Sequence, residues 1–199
     1  MIRVHRVPFS TNVERVALAA GYKGVAIDWV DHDNADRSAV VELSGQSLVP
    51  VAEFGGQVVR GSMRIVERLE REHPEPTLLP PTAGGRARMR IFIEFFDRVW
   101  KGPPNSLDGP PPPDAEALAA RIRTWSGWFE DLLADGPYLA GEAMSMADVC
   151  AFPFLKYATR DPEPGDSDNF HVVLTEHLDA TPGSNLAAWI ERVDEIPRA

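Results

Sequence analysis

The sequence predicts an α/β domain followed by an all-α domain. Over roughly the first 80 residues, strand and helix patterns alternate in the order βαβ, α, ββα, whereas the periodic segments from residue 86 onward have helical spacing. A stretch rich in proline and glycine, "PEPTLLPPTAGG" (74–85), separates the two patterns. We therefore expect one domain over residues 1–76 and a second over residues 85–199.

The first domain is expected to hold a small sheet with helices packed against it. Segments with the pattern of strands occur at 2–6, 25–30, 49–54 and 57–60. The last two flank Gly55-Gly56, a dipeptide typical of a two-residue hairpin turn. The spacing of apolar residues predicts helices over 12–21 and 62–73 and a weaker helix over 35–43.

The second domain is expected to contain four helices, over 86–101, 114–134, 145–158 and 184–196. The insertion "GPPNSLDGPPPPD" (102–114) is expected to be an extended surface loop because of its many prolines, and "RDPEPGDSDNF" (160–170) a second loop. Ser145 and Asp148 have the S-x-x-D spacing of a capping box, with Met144 and Val149 at the flanking apolar positions. We interpret this motif as a helix start with no chemical role.

Composition limits the classes of partner. A net charge of −10 without any basic run argues against nucleic acid and against an anionic membrane surface. No apolar stretch is long enough to span a bilayer, and the first residues lack the pattern of a signal peptide. The single cysteine, Cys150, fits a reducing compartment, and the five histidines are too scattered for a metal site. We expect a cytoplasmic protein without a bound metal, in which Cys150 belongs to the core.

Three stretches, taken in order, resemble the cytosolic glutathione transferases of the bacterial serine type. "PFSTNVERVALA" is similar to the turn between the first strand and the first helix of that family, and "LVPVAEFGGQVVRGSMRIVERLE" to its Val-Pro strand, hairpin and serine-bearing helix. "YLAGEAMSMADVCAFPFL" (138–155) resembles the signature of the family's sixth helix. The resemblance spans essentially the whole chain. It implies a thioredoxin-like first domain, a helical second domain and glutathione as the co-substrate that attacks a small electrophile.

The resemblance also implies where glutathione binds in the first domain. It implies a cis Val49-Pro50 bond, with the Val49 main chain pairing with the cysteinyl part of glutathione and Leu48 beside it. Ser62 corresponds to the residue that binds the γ-glutamyl carboxylate at a helix N-terminus. Family members carry an acidic residue or Gln before that serine. Gly61 stands there in this chain and weakens the expected recognition of the γ-glutamyl amine.

The group that activates the thiol is expected in the segment that precedes the first helix. Val7 stands where the cysteine type has its reactive residue, so a mixed-disulfide reaction is not expected. The serine type places Ser10 as the donor to the sulfur. Thr11 and Glu14 have the T-x-x-E spacing of a capping box, which would leave Ser10 for the thiol. Thr11 or Asn12 as the donor, and no catalytic role at all, remain alternatives, and Asn12 is also expected to bind glutathione.

Candidates for the electrophile site are Phe9, Arg98, Trp100 and Lys101. The two cations could bind an acidic substrate or complement the end of a helix, and the aromatic residues could equally belong to the core. The resemblance further implies a twofold homodimer in which the first domain packs against the helical domain of the partner.

Two other functions fit the same residues. One is a thiol-dependent isomerase or lyase, or the use of a different low-molecular-weight thiol. Gly61 favours this reading. So does the predominance of arginine among the basic residues, since only three of the 20 are lysines, which is typical of GC-rich bacterial genomes. The other is a non-catalytic binding module that has kept the fold. Loss of turnover with retained binding in Ser10→Ala would indicate a transferase, and no effect would indicate the module.

Overall fold

In the computed structural model, which describes residues 1–199, four strands form one mixed sheet in the order β2-β1-β3-β4. The strands are β1 (Ile2–Arg6), β2 (Ile27–Asp31), β3 (Val51–Phe54) and β4 (Gln57–Arg60). β1 runs parallel to β2 and antiparallel to β3, and β3 and β4 form the predicted hairpin through Gly55-Gly56. The βαβ and ββ arrangements expected from the sequence are both confirmed.

Three helices accompany this sheet: α1 (Thr11–Tyr22), α2 (Ser38–Ser44) and α3 (Ser62–Glu72). α1 and α3 pack against each other, and their apolar side chains, Val16 and Ile65 among them, are completely buried. A buried ion pair fixes the end of α1, since Lys23 Nζ lies 2.5 Å from Glu70 Oε2. The same ammonium group donates to the carbonyl oxygens of His73 and Pro76. Each donor of this buried charge therefore has an acceptor, as burial requires.

The chain divides into two compact units, one of residues 1–78 with 196–199 and the other of residues 79–195. Sequence reasoning assigned the last four residues to the helical domain, and this assignment needs correction. Ala199 N–H donates to the Ala17 carbonyl, and the Trp29 indole donates to the Ala199 carbonyl. A Cβ on Gly21 would lie 1.9 Å from the Pro197 carbonyl oxygen, so only glycine permits this close approach of the backbone.

Six helices form the second unit: α4 (Ala83–Phe95), α5 (Gly102–Leu107), α6 (Ala115–Leu132), α7 (Met146–Leu155), α8 (Asn169–His177) and α9 (Asn185–Asp194). α4 continues through a wider π turn over Phe96–Trp100, where Lys101 N–H donates to the Phe96 carbonyl. The centre of this unit is aromatic. Phe96 and Trp100 stack with 4.3 Å between their ring centroids, and Phe129 and Phe154 pack edge-on against Trp100.

Two predictions for the connections were wrong. Residues 102–107 form helix α5 instead of an extended loop, because the adjacent prolines 103 and 104 occupy its first turn, where no intrahelical N–H is required. Both prolines are buried. The expectation of a loop over 160–170 missed the start of α8 at Asn169, whose N-terminus is capped by the Asp168 side chain. The part of the insertion from 108 to 114 contains neither helix nor strand.

The capping box at the start of α7 is confirmed. Asp148 accepts hydrogen bonds from the Ser145 N–H and hydroxyl and from the Leu139 N–H, and the Trp189 indole donates to the same carboxylate. Burial raises the pKa of the Asp148 carboxyl, and the four donors act in the opposite direction. Cys150 is buried one turn into this helix, as expected for a core residue.

No helix in the structure combines the length and the apolar character that crossing a membrane requires. No group of three or more His, Cys, Asp or Glu side chains lies close enough together to hold a metal ion.

Candidate functional site

The register of the sheet brings the predicted glutathione-binding segments to one end of the first unit. His5 of β1 pairs with Val51 of β3, and Val51 pairs with Arg60 of β4. The residues that follow β1, precede β3 and follow β4 therefore leave the sheet at the same end. These are the segments 7–12, 48–50 and 61–62.

Ser10 is the N-cap of α1, and this corrects the expectation that Thr11 takes that role. Ser10 has an extended backbone (φ −62°, ψ 115°), and its Oγ accepts from the Val13 N–H at 3.4 Å. Thr11 is already helical and is buried. Capping does not remove Ser10 from chemistry, because a hydroxyl that accepts one hydrogen bond can still donate its own hydrogen. That hydrogen lies at the positive end of the helix dipole.

Phe9, directly before the cap, has φ 59° and is the one non-glycine residue with a positive φ. Its side chain is 42% exposed. A bulky side chain in the left-handed region is an uncommon and costly conformation. The turn therefore holds an exposed aromatic residue directly before Ser10 in the chain.

The segment 48–50 leads into β3 at this end of the sheet. The Val49-Pro50 peptide bond is cis, as the resemblance implied. Leu48 is 64% exposed, and its carbonyl accepts from the side-chain amide of Gln46. Val49 lies outside β3, which begins at Val51.

Gly61 and Ser62 begin α3. Gly61 has φ 89°, a conformation that side chains rarely adopt, so the backbone accounts for glycine at the position where the family carries a larger residue. Ser62 is 7% exposed at the first position of the helix, where the backbone N–H groups have no partners within the helix. These groups and the serine hydroxyl suit an anion.

Sequence reasoning missed Arg15. Its side chain is 1% exposed, and Nη1 lies 3.3 Å from both Asn12 Oδ1 and Ser62 Oγ. The guanidinium therefore joins two residues that the sequence proposed for glutathione. A signal was present, since position 15 lies four residues after Thr11 and four before Ala19, both on the buried face of α1.

Both units match known domains. Residues 4–77 match the model of the glutathione S-transferase N-terminal domain, and residues 112–192 match that of the C-terminal domain. A maleylpyruvate isomerase from Ralstonia sp. is 36% identical over 174 residues, which are 73% of this chain and 77% of the relative.

The chain belongs to the glutathione S-transferase family.

Further comparisons span most of the chain. A maleylacetoacetate isomerase from Dictyostelium discoideum is 22% identical over 201 residues, covering 92% of this chain and 88% of the relative. Among solved structures, a rice glutathione transferase in complex with glutathione superimposes with a TM-score of 0.80 at 20% identity, over 98% of this chain and 86% of that one. This likeness supports the predicted fold of a thioredoxin-like unit and a helical unit.

In this glutathione S-transferase, the other predicted substrate residues lie in the helical unit in different surroundings. Arg98 has a side chain 78% exposed, and its Nε lies 2.7 Å from Glu94. Trp100 is completely buried, and its indole Nε1 has no hydrogen-bond partner. Lys101 lies over the Phe154 ring, 3.9 Å from Asp97. Arg98 therefore takes part in a surface ion pair, and Trp100 belongs to the core. The role of these residues toward a substrate stays a prediction.

An apolar groove of about 980 Å³ opens on the helical unit between α4, α6 and the segment 135–141. Aromatic side chains form its walls. Trp128 packs against Phe95 with 5.0 Å between the ring centroids, and Trp128 is 37% exposed. Ile91, also in the groove, is 69% exposed. We call this surface the α4–α6 groove.

Proposed function

We propose that the chain is a glutathione transferase in which Ser10 activates the glutathione thiol for attack on a small electrophile. The observation that carries the proposal is the position of Ser10. Its hydroxyl caps α1 at the end of the sheet where the segments 48–50 and 61–62 also emerge. The thiolate attacks an electrophilic carbon, a C–S bond forms and the leaving group departs with its electron pair. The protein holds the two reactants in place.

The energy required of Ser10 is within reach of one hydrogen bond and one helix end. A free thiol has a pKa of about 8.5, and a decrease of about two units corresponds to roughly 2.7 kcal/mol. A hydrogen bond to a charged group contributes about 1.5–3 kcal/mol. A helix N-terminus adds about 0.3–1 kcal/mol for an anion. These two effects together are sufficient to make the thiol mostly thiolate at neutral pH.

The rest of glutathione is proposed to bind along the same end of the first unit. The Val49 main chain, with Leu48 and Pro50 on either side, pairs with the cysteinyl part. Gly61 and Ser62 at the start of α3 hold the γ-glutamyl carboxylate, and Asn12 contributes from α1. Phe9, Lys101, Arg98 and Trp100 remain the candidates for contact with the electrophile.

The variant Ser10→Ala tests the proposal, and Ser184→Ala is its matched control. We expect Ser10→Ala to lower kcat with an activated aryl halide about 100-fold at saturating glutathione, because the thiolate loses its donor. Both variants lose an N-cap, since Ser184 caps α9 as Ser10 caps α1. Each should therefore lose about 1 kcal/mol of stability in urea unfolding. Wild-type kcat in Ser10→Ala would contradict the proposal, as would an equal loss of kcat in Ser184→Ala.

A second candidate function is a glutathione-dependent cis–trans isomerase, which the 36% identity to a maleylpyruvate isomerase favours. In such a reaction, the thiolate adds to one carbon of a C=C bond and the resulting single bond rotates. Loss of the same thiolate then restores the double bond. Glutathione is regenerated, whereas a transferase consumes it.

Incubation with maleylpyruvate and glutathione separates the two functions. Formation of the trans isomer with an unchanged titre of free thiol indicates the isomerase. Loss of free thiol in step with an electrophile indicates the transferase. Glutathione binding should also be measured by calorimetry. Absence of binding would contradict both the transferase and the isomerase function.

We also propose that the protein is a cytoplasmic homodimer. The α4–α6 groove supports the dimer, because two of its apolar lining residues, Ile91 and Trp128, are exposed. The groove also carries Arg88 and Asp135. A twofold axis through such a surface can bring each charge near its opposite in the partner.

A further inference from the structure

The side chain of Arg15 occupies a place that a guanidinium rarely takes. It is 1% exposed within the first unit and forms hydrogen bonds through Nη1 to Asn12 on its own helix and to Ser62 on α3. Burial of a cation is costly unless its donors find acceptors, and Asn12 and Ser62 supply two of them. The same guanidinium thus bridges α1 and the first residue of α3.

The direction of these hydrogen bonds has a chemical consequence. A guanidinium has donors only, so Ser62 Oγ and Asn12 Oδ1 must both act as acceptors toward Arg15. The hydroxyl hydrogen of Ser62 then cannot point at Arg15 and is directed to another acceptor. In the same way, the amide of Asn12 is held with its oxygen toward Arg15 and its nitrogen, a donor, on the other side. Arg15 therefore orients the Ser62 hydroxyl and the Asn12 amide so that their own hydrogens are available for other acceptors.

We propose that Arg15 is the positioning residue of the site for the γ-glutamyl carboxylate. It orients the Ser62 hydroxyl as a donor at the N-terminus of α3, next to the backbone N–H groups that face the same anion. Arg15 need not touch glutathione itself. This inference rests on the proposed function, because it assigns a role within the proposed glutathione site.

A positioning role and a purely structural role predict different kinetics. If Arg15 acts through Ser62, its loss weakens glutathione binding and leaves the chemical step intact, because Ser10 is untouched. If Arg15 only supports the packing of α1 on α3, its loss lowers stability and kcat without depending on whether Ser62 is present.

A double-mutant cycle on the Kd of glutathione, measured by calorimetry, tests the proposal. The cycle compares the wild type, Arg15→Met, Ser62→Ala and the double variant. We expect each single variant to raise the Kd of glutathione about tenfold. The Kd of the double variant should lie within about twofold of the higher of the two single-variant values. At saturating glutathione, kcat of Arg15→Met should stay within about twofold of the wild type. Arg71→Met, which removes an exposed arginine from the last turn of α3, is the control and should bind like the wild type.

The other outcomes would overturn either the positioning role of Arg15 or the proposed function. Additive effects of the two substitutions, or a large loss of kcat in Arg15→Met, would overturn the positioning role while leaving the proposed function in place. A wild-type protein without measurable glutathione binding would overturn the proposed function and the inference with it. Should Arg15→Met fail to fold, Arg15→Lys replaces it in the cycle with the same criterion, because one ammonium keeps the charge but loses the planar fork that reaches two acceptors.

Discussion

At the scale of single residues, the turn before α1 combines a strained backbone with an exposed ring. Phe9 has φ 59°, although a residue with a Cβ generally avoids this region. Gly61, directly before α3, has φ 89° but no side chain that this conformation would strain. The two positions reach unusual backbone geometry at different cost, because Phe9 has a Cβ and Gly61 does not.

We expect Phe9→Gly to be more stable than Phe9→Ala by about 1 kcal/mol, because glycine adopts a positive φ without steric penalty. Both variants lose the ring, so their difference isolates the backbone. Urea unfolding of the two proteins gives the comparison. Equal midpoints would show that the turn relaxes once the ring is gone. If the ring contacts the electrophile, both variants should show the same increase in its KM.

At the scale of single elements, the carboxylate of Asp148 stabilises the start of α7. Asp148 accepts from the N–H and the hydroxyl of Ser145 at the start of the helix, and Leu139 and Trp189 add donors from other parts of the helical unit. This side chain is completely buried and connects three segments of the unit. Its role is therefore larger than that of an ordinary helix cap.

Asp148→Ala should destabilise the protein by about 3 kcal/mol or more, because it leaves the N–H groups of Ser145, Leu139 and Trp189 buried without an acceptor. Ser145→Ala is the control. It removes the cap but keeps the carboxylate, and should cost about 1 kcal/mol. Urea unfolding followed by circular dichroism measures both. The same loss in the two variants would mean that Asp148 contributes only through the cap.

The elements that sequence patterns predicted are those stabilised by nearby residues. The hairpin at Gly55-Gly56 and the capping box of Ser145 and Asp148 depend on residues within a few positions of each other. Helix α5 was missed because two prolines in a first helical turn look the same in sequence as prolines in a loop. α8 carries a usable signal, with Asp168 before Phe170, Val173 and Leu174 at helical spacing, but the loop-like residues before it obscured that signal.

The candidate site divides in the same way. Ser10, Val49 and Ser62 lie in motifs and could be named from the sequence. The helical spacing of Arg15 places it on the buried face of α1, but its partner could not be named, because Ser62 is 47 positions away and only the packing of α1 on α3 brings it within 3.3 Å. The sequence also predicted Thr11 as the N-cap of α1, whereas the N-cap is Ser10. Both residues are good caps by type, and only the backbone dihedrals decide between them.

At the scale of the whole molecule, the exposed apolar residues of the α4–α6 groove predict association. Ile91→Asp places a charge in the groove and should weaken a dimer at least about 100-fold. Val172→Asp is the control, since Val172 is an exposed apolar residue on α8 at 42% exposure and lies outside the groove. Sedimentation equilibrium at micromolar concentration should show dimers for the wild type and for Val172→Asp. A monomeric wild type, or a dimeric Ile91→Asp, would rule out this surface as the interface.

The return of residues 196–199 to the first unit affects the order in which the protein can be completed. Translation proceeds from the N-terminus to the C-terminus, so the sheet and α1 are synthesised long before the segment that covers Gly21 and donates to the Ala17 carbonyl. All of residues 79–195 must leave the ribosome in between. During translation, the surface of α1 around Gly21 therefore lacks this cover until residues 196–199 have been made.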